Sequence, residues 1–197
     1  MEQGESATWV LANEPVPIRL MNTIWADRHG VHDALTSASD LADWLHEIGA
    51  HDAVPRVTQL DLAQARDLRH ALRRLAALRT GDTRPPASSA TEDPAAAVET
   101  VNQVAAALVP HRLELKGDGL EVGGSPWGHP VTASLADIAI EAMAVLTGAA
   151  VPPLRACLAP GCVLYFVQDH PRREWCSNAC GNRARAARHY ERHRVPK

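Results

Sequence analysis

The chain has 197 residues, enough for one compact domain and a small module. Its apolar share of 46% can build a core, mostly of Ala, Leu and Val, and five of its eight aromatic residues are tryptophan. The net charge of −3 excludes a uniformly basic nucleic-acid binder, no run approaches the ~18 apolar residues that span a bilayer, and no leader is evident, so the expected compartment is the cytoplasm, with reduced cysteines and no membrane partner. Heavy use of Ala, Arg and Asp suggests a GC-rich bacterial genome.

Residues 1–14 are polar, apart from Trp9-Val10-Leu11. From Pro15 to Trp25 the alternation predicts a strand, with Ile18, Leu20, Asn22 and Ile24 on one side and Arg19, Met21 and Thr23 on the other. Arg28 to Asp33 reads as a loop or short strand whose His29 and His32 match no ligand spacing. A short helix follows, capped by Ser39 or Asp40, with Leu41, Trp44, Leu45 and Ile48 as its apolar stripe and Gly49 as its stop. Thr58 to Thr80 is the longest predicted helix. Thr58 and Asp61 resemble a capping pair, and Leu60, Ala63, Leu68, Ala71, Leu72, Leu75 and Leu78 form the expected buried stripe. Arg66, Arg69, Arg73 and Arg74 fall mostly off that stripe and read as a solvated face. After a loop over Gly81–Ala90, a helix is expected from Pro94 to Val109, then a hairpin with strands 112–116 and 120–123, then a helix from Val131 to Thr147 closed by Gly148. Pro152-Pro153 reads as a stiff joint.

All four cysteines lie in the last part of the chain, as Cys157, Cys162, Cys176 and Cys180, with the spacing C-x4-C-x13-C-x3-C. Two close pairs separated by a short insert are the spacing of a tetrahedral four-thiolate zinc site, and four thiolates close the coordination shell as a structural centre. Ala159-Pro160-Gly161 supplies a turn for the first pair, Val163–Val167 a strand, Glu174-Trp175 a returning strand, and Ser177 an N-cap for a helix to about Arg194. The expected product is a treble-clef-like finger. Paired disulfides and buried free thiols are the alternatives, disfavoured by the reducing compartment and by the clustering.

Charge is polarised along the chain. From residue 155 onward nine Lys/Arg face three Asp/Glu, a net of +6, whereas residues 1–154 carry −9. Arg185, Arg188 and Arg192 share a helical stripe. Arginine pairs with phosphates and reads guanine edges, so a DNA surface of Arg172, Arg173, Asn182, Arg183, Arg185, Arg188, Arg192 and Arg194 is expected, against a solvated basic tail as the plainer reading.

At Cys176, Cys180, Gly181, Asn182 and Arg183, following Trp175, the sequence resembles the CGNR zinc finger family of bacterial proteins. There the finger follows an ABATE domain, and Asn22-Thr23 and the segment Ser39–Leu45 resemble that domain, with Met21 where an aromatic residue is expected. The resemblance implies a stress-induced transcription regulator. Together these readings predict a mainly α fold with a small antiparallel β element (α+β), residues 1–151 as a sensor or oligomerisation domain that leaves room for a homodimer, and residues 152–197 as the zinc finger. Polar Asn22 and Thr23 in a core strand suggest a small-molecule effector pocket. No catalytic constellation is present: there is no nucleophile elbow, phosphate loop or H-E-x-x-H, and no cysteine is spare, so the chain is not expected to be an enzyme. A protein-interaction module without DNA contact and a thiolate redox switch are the other functional readings.

Overall fold

The structure, a computed structural model, describes residues 11–50, 56–84, 91–107, 112–123, 130–149 and 152–193. Arg194 and Trp9-Val10 of the expectations above lie outside them, as do residues 85–90, 108–109 and 124.

The predicted first strand is instead a short helix, α1 (Val16–Met21), followed by a hairpin of β1 (Ile24–Asp27) and β2 (Gly30–Asp33). Pro15 caps α1, and Pro17 sits in its first turn, where the fixed φ and the missing N–H cost nothing. Alternation misled because the segment is wrapped by other elements, so Ile18, Leu20 and Met21 are all buried regardless of period. Asn22 closes the helix, its backbone N–H donating to Ile18 O at 2.9 Å.

α2 (Ala38–Glu47) begins two or three residues earlier than the expected caps imply. Ser37, not Ser39 or Asp40, is its N-cap. Asp40 sits at the third helical position and accepts from the Ser37 N–H, which completes a capping box. Leu41, Trp44 and Leu45 are buried as predicted, and Gly49 takes the left-handed conformation just beyond the end.

α3 (Gln59–Thr80) is the axis of the molecule. Thr58 and Asp61 form the expected reciprocal cap, and Gly81 closes the helix at φ +66°. Its buried face is rotated from the predicted one. Leu62, Ala65, Leu68, Ala71, Leu72 and Ala76 are buried, whereas Leu60 and Leu78 are 69% and 60% exposed. Arg69 and Arg73, predicted to be solvated, are 1% and 0% exposed.

α4 (Pro94–Ala106), capped by Asp93, and α5 (Pro130–Thr147) pack on α3, and α1 packs on α3 and α5. By length and composition α5 could cross a bilayer, closer to that limit than the sequence suggested, but it carries Asp137 and Glu141 and buries Val131, Leu135, Ile138, Ala139, Ala142 and Val145 in the core. Between α4 and α5, strands β3 (Arg112–Lys116) and β4 (Gly119–Gly123) pair in the predicted hairpin.

In the C-terminal segment, β5 (Leu154–Ala156) pairs antiparallel with β6 (Tyr165–Val167), and α6 spans Asn178–His193. The strand partner differs from the expected one: β6 pairs with the chain before the first cysteine, and Glu174-Trp175 form no strand. The knuckle 157–162 therefore sits at the hairpin tip. Leu154, Tyr165 and Val167 belong to the same apolar core as α1, α3 and α5, so the chain after the proline joint packs on the helices. The result is a mainly helical fold with three small antiparallel hairpins and a treble-clef-like cysteine finger.

Candidate metal centre and basic helix

Cys157 and Cys162 flank a turn in which Cys162 N–H donates to Ala159 O at 2.9 Å and Gly161 adopts φ +72°. Cys176 precedes α6, and Cys180 lies in its first turn, where the Ser177 hydroxyl caps the Cys180 N–H at 3.3 Å. All four side chains are buried, and their Sγ atoms lie within 4.8 Å of one another. Zinc bound at ~2.3 Å by four tetrahedral thiolates requires sulfur–sulfur edges of about 3.8 Å. Cys162 to Cys176 measures 3.8 Å and Cys176 to Cys180 3.4 Å, close to those edges, so the four donors can surround that ion. The cluster is a zinc site.

The thiol electrostatics lead to the same conclusion. S–H donation from Cys162 and then from Cys176 pushes the Cys157 thiol down to about 2, while the hydrogen bond with Cys157 pushes Cys162 up to about 12 and also raises Cys176. The neighbours thus stabilise one thiolate and hold others protonated; a divalent cation supplies the charge that lets all four ionise. Arg183 contributes from outside, its Nη2 donating to Cys180 Sγ at 3.0 Å. Burial opposes its charge, but the Cys180 thiolate outweighs that, so its pKa is raised. Four thiolates and Zn²⁺ carry −2, which reduces the segment's formal +6 to +4.

The predicted basic residues separate into two groups. Arg172, Asn182, Arg183, Arg185, Arg188 and Arg192 are exposed. Arg185 donates to Asn182 Oδ1 at 2.6 Å, Arg188 stands over the Trp175 ring at 5.6 Å, and Arg192 donates to Arg188 O. Trp175 lies against Gly181, where an added Cβ would meet Trp175 Cδ1 at 3.1 Å. The glycine of the Cys-Gly-Asn-Arg run thus lets the indole approach the helix and carry Arg188. Arg173, by contrast, is committed inside the protein. It pairs with Glu14 at 2.6 Å and Asp169 at 3.3 Å, donates to Val167 O and Cys176 O, and covers the Phe166 ring at 4.9 Å.

Residues 14–149 match the ABATE family, described as "Putative stress-induced transcription regulator", and residues 154–193 match the CGNR zinc finger. The chain belongs to the ABATE family. No curated protein matches it.

The ABATE segment grips the CGNR finger through buried polar contacts. Asn22 donates to Tyr165 O at 2.9 Å and accepts from Tyr165 N–H at 3.0 Å, so its amide serves as one more rung beside β6. Glu14 accepts from Val167 N–H at 2.8 Å. Arg73 donates to Met21 O and to Val163 O, and lies 5.3 Å above the Tyr165 ring. Arg84 donates to Cys157 O at 2.8 Å and Cys162 O at 2.7 Å while Asp82 holds it from behind. Burial raises the Asp82 carboxyl, but the Arg84 hydrogen bonds outweigh it and the pKa falls. Burial pushes the Tyr165 hydroxyl up to about 12.

These contacts give both residues expected at an effector pocket internal partners. Asn22 is spent on Tyr165, and the Thr23 hydroxyl is spent on Leu20 O and Arg69. Among the described cavities, none is lined by either residue. Glu14, Arg73 and Arg84 were missed by sequence reasoning because their partners include backbone carbonyls and amides up to 153 residues away, and Asp82 because it acts by holding Arg84.

Proposed function

We propose that the protein is a cytoplasmic, non-catalytic regulator that binds DNA through α6 of its zinc finger. The observation carrying this reading is the exposed stripe of Arg185, Arg188 and Arg192, anchored at the end where zinc fixes the first turn and stiffened by Trp175 and Asn182. Its membership of a family described as a transcription regulator supports the same direction. The zinc centre is structural: it sets the start and direction of α6, and Arg183 offsets its excess negative charge. With Arg173 committed to Glu14, the phosphate-facing set is Arg172, Arg185, Arg188 and Arg192.

The test is binding of zinc-loaded full-length protein to duplex DNA over a salt series. Four phosphate contacts give a slope of log affinity against log salt of about −3.6. Arg188→Ala reduces that slope by about one unit if the guanidinium touches phosphate, or costs ~1–3 kcal/mol at one sequence only if it reads a guanine edge. Absence of binding to any duplex at low salt overturns the proposal and leaves the protein-interaction reading in its place.

A further inference from the structure

Two features of the ABATE segment present exposed apolar side chains. The first is the β3–β4 hairpin. Every residue from Glu114 to Leu120 is exposed, and Leu115 and Leu120, directly opposite in the register, are 74% and 68% exposed. Cross-strand partners share a face of the ribbon, so the two leucines form one apolar knob near the turn. The hairpin packs little on any other described element. A lone two-stranded ribbon is marginal in water, and an exposed apolar ribbon is a template for association.

The second feature is a groove of about 520 Å³ between α3, α4 and α5, walled by Leu75, Leu78, Val98, Val101, Met143 and Leu146. Leu78, Val98 and Met143 are among the most exposed large apolar residues of the molecule. Arg79 stands at its rim, with Nε capping Leu146 O, and forms no ion pair among the described residues.

The placement of the two features is decisive. The groove uses the C-terminal halves of α3 and α5 and the middle of α4. The opposite end of the bundle, where Gln64 and Asp67 of α3 meet Val104 and Ala107 of α4 and Thr132 and Leu135 of α5, is where the hairpin leaves and rejoins. At 1.5 Å per residue, the start of α5 lies roughly 20 Å from Met143. Two copies side by side in antiparallel sense bring each hairpin to the other copy's groove, which is an isologous two-fold contact satisfied twice.

We propose that the protein is a homodimer in which the β3–β4 hairpin of each copy seats Leu115 and Leu120 in the α3–α4–α5 groove of its partner. Charge favours the exchange. The hairpin from residue 114 to 121 carries Glu114, Asp118 and Glu121 against Lys116, a net of −2, and it meets Arg79 at the rim. The seven exposed hairpin residues, two of them glycine, and the nine groove residues make sixteen residues per copy, so the contact is smaller than the roughly 20–30 a side of a standard interface. The inference is independent of DNA binding, because its readout is mass.

Sedimentation velocity of the zinc-loaded full-length protein at micromolar concentration tests it. The expected species has twice the 21.3 kDa chain mass. Leu115→Glu with Leu120→Glu weakens the dimer by at least about tenfold while helical content and zinc content stay unchanged. Leu78→Glu, on the groove side, does the same. A mixture of the two variants restores part of the dimer, because the intact hairpin of one fits the intact groove of the other. Wild-type protein that stays monomeric overturns the proposal. So does a dimer insensitive to the hairpin variant, a loss confined to the groove variant, or a small apolar molecule found seated in the groove of monomeric protein by native mass spectrometry.

Discussion

Replacing Arg84 with alanine tests whether the ABATE segment holds the zinc knuckle or merely lies beside it. Arg84 is the only described side chain seen donating to the carbonyls of two zinc-binding residues, Cys157 and Cys162. Its loss has two consequences. The Asp82 side chain, fully buried, loses its charged partner and keeps only the Arg84 backbone N–H at 3.2 Å and the Tyr165 hydroxyl at 3.4 Å. An uncompensated buried charge costs ~3–5 kcal/mol. The two carbonyls each lose a charged donor, worth ~1.5–3 kcal/mol apiece in isolation, but these terms share one side chain and do not add fully. A total of about 4 kcal/mol lowers the melting temperature by roughly 10 °C in a chain of this size. Because the lost bonds support residues that bind the metal, zinc affinity should also fall ~10–100-fold. Thermal unfolding and zinc transfer to a chromogenic chelator read the two effects separately. Adding Asp82→Asn to Arg84→Ala removes the orphaned charge and should recover stability but not metal retention. An Arg84→Ala protein that melts within about 1 kcal/mol of the parent and yields zinc at the parent's rate refutes the grip.

Asn22→Ala leaves the buried N–H and C=O of Tyr165 unpaired and should cost ~2–4 kcal/mol by denaturant titration, with no change in any ligand response. Gly181→Ala should displace Trp175 and, with it, Arg188, seen as altered tryptophan emission and weaker duplex binding despite alanine's better helix propensity. Arg173→Ala should destabilise the fold by stranding Glu14, yet leave the salt slope of DNA binding unchanged; a flatter slope would return Arg173 to the interface. Burial raises the Asp33 carboxyl, but its paired hydrogen bonds from Arg69 outweigh this and lower its pKa, so its stabilisation is present above the unfolded carboxylate value of ~3.9 and is lost as pH falls through the lower folded value. The stability gap between wild type and Asp33→Asn should therefore be full near neutrality and close as pH falls through the lowered folded value.

Much of the finger was legible because its logic is local. Cysteine spacing, the Ala159-Pro160-Gly161 turn and the Ser177 cap act within a few residues of one another. The capping pair Thr58–Asp61 and the stops at Gly49, Gly81 and Gly148 were legible for the same reason. What failed depended on the tertiary environment. α1 read as a strand because alternation carries no information where both sides are buried. The stripe of α3 was assigned to leucines, yet Leu60 and Leu78 face outward and two arginines face inward, because the core there includes backbone carbonyls that only a long guanidinium can reach. The pairing of β6 with β5 was not visible, since a three-residue strand carries no pattern of its own. Asn22 was singled out correctly as unusual but for the wrong partner: its amide completes a strand edge that belongs to another part of the chain.

The inward arginines tie the two segments of the chain together. α3 places Arg73 one turn beyond Arg69, and the loop after its last turn places Arg84. Arg69 ties α3 to the β1–β2 hairpin through Asp33, Arg73 ties it to Val163 beside the knuckle, and Arg84 ties it to the knuckle itself. A rotation or shift of α3 therefore displaces the carbonyls of Cys157 and Cys162, and with them the centre that fixes the start of α6. The opposite side of the same stretch, Leu75, Leu78 and Arg79, lines the apolar groove. One helical segment thus borders both the groove and the metal site. The finger in isolation would lack Asn22, Glu14, Arg73 and Arg84, and would expose Leu154, Tyr165 and Val167. Cutting the chain at the proline joint should consequently yield a segment that binds zinc but unfolds at a lower temperature than the finger does within the whole chain, which thermal unfolding of the two zinc-loaded proteins would read directly.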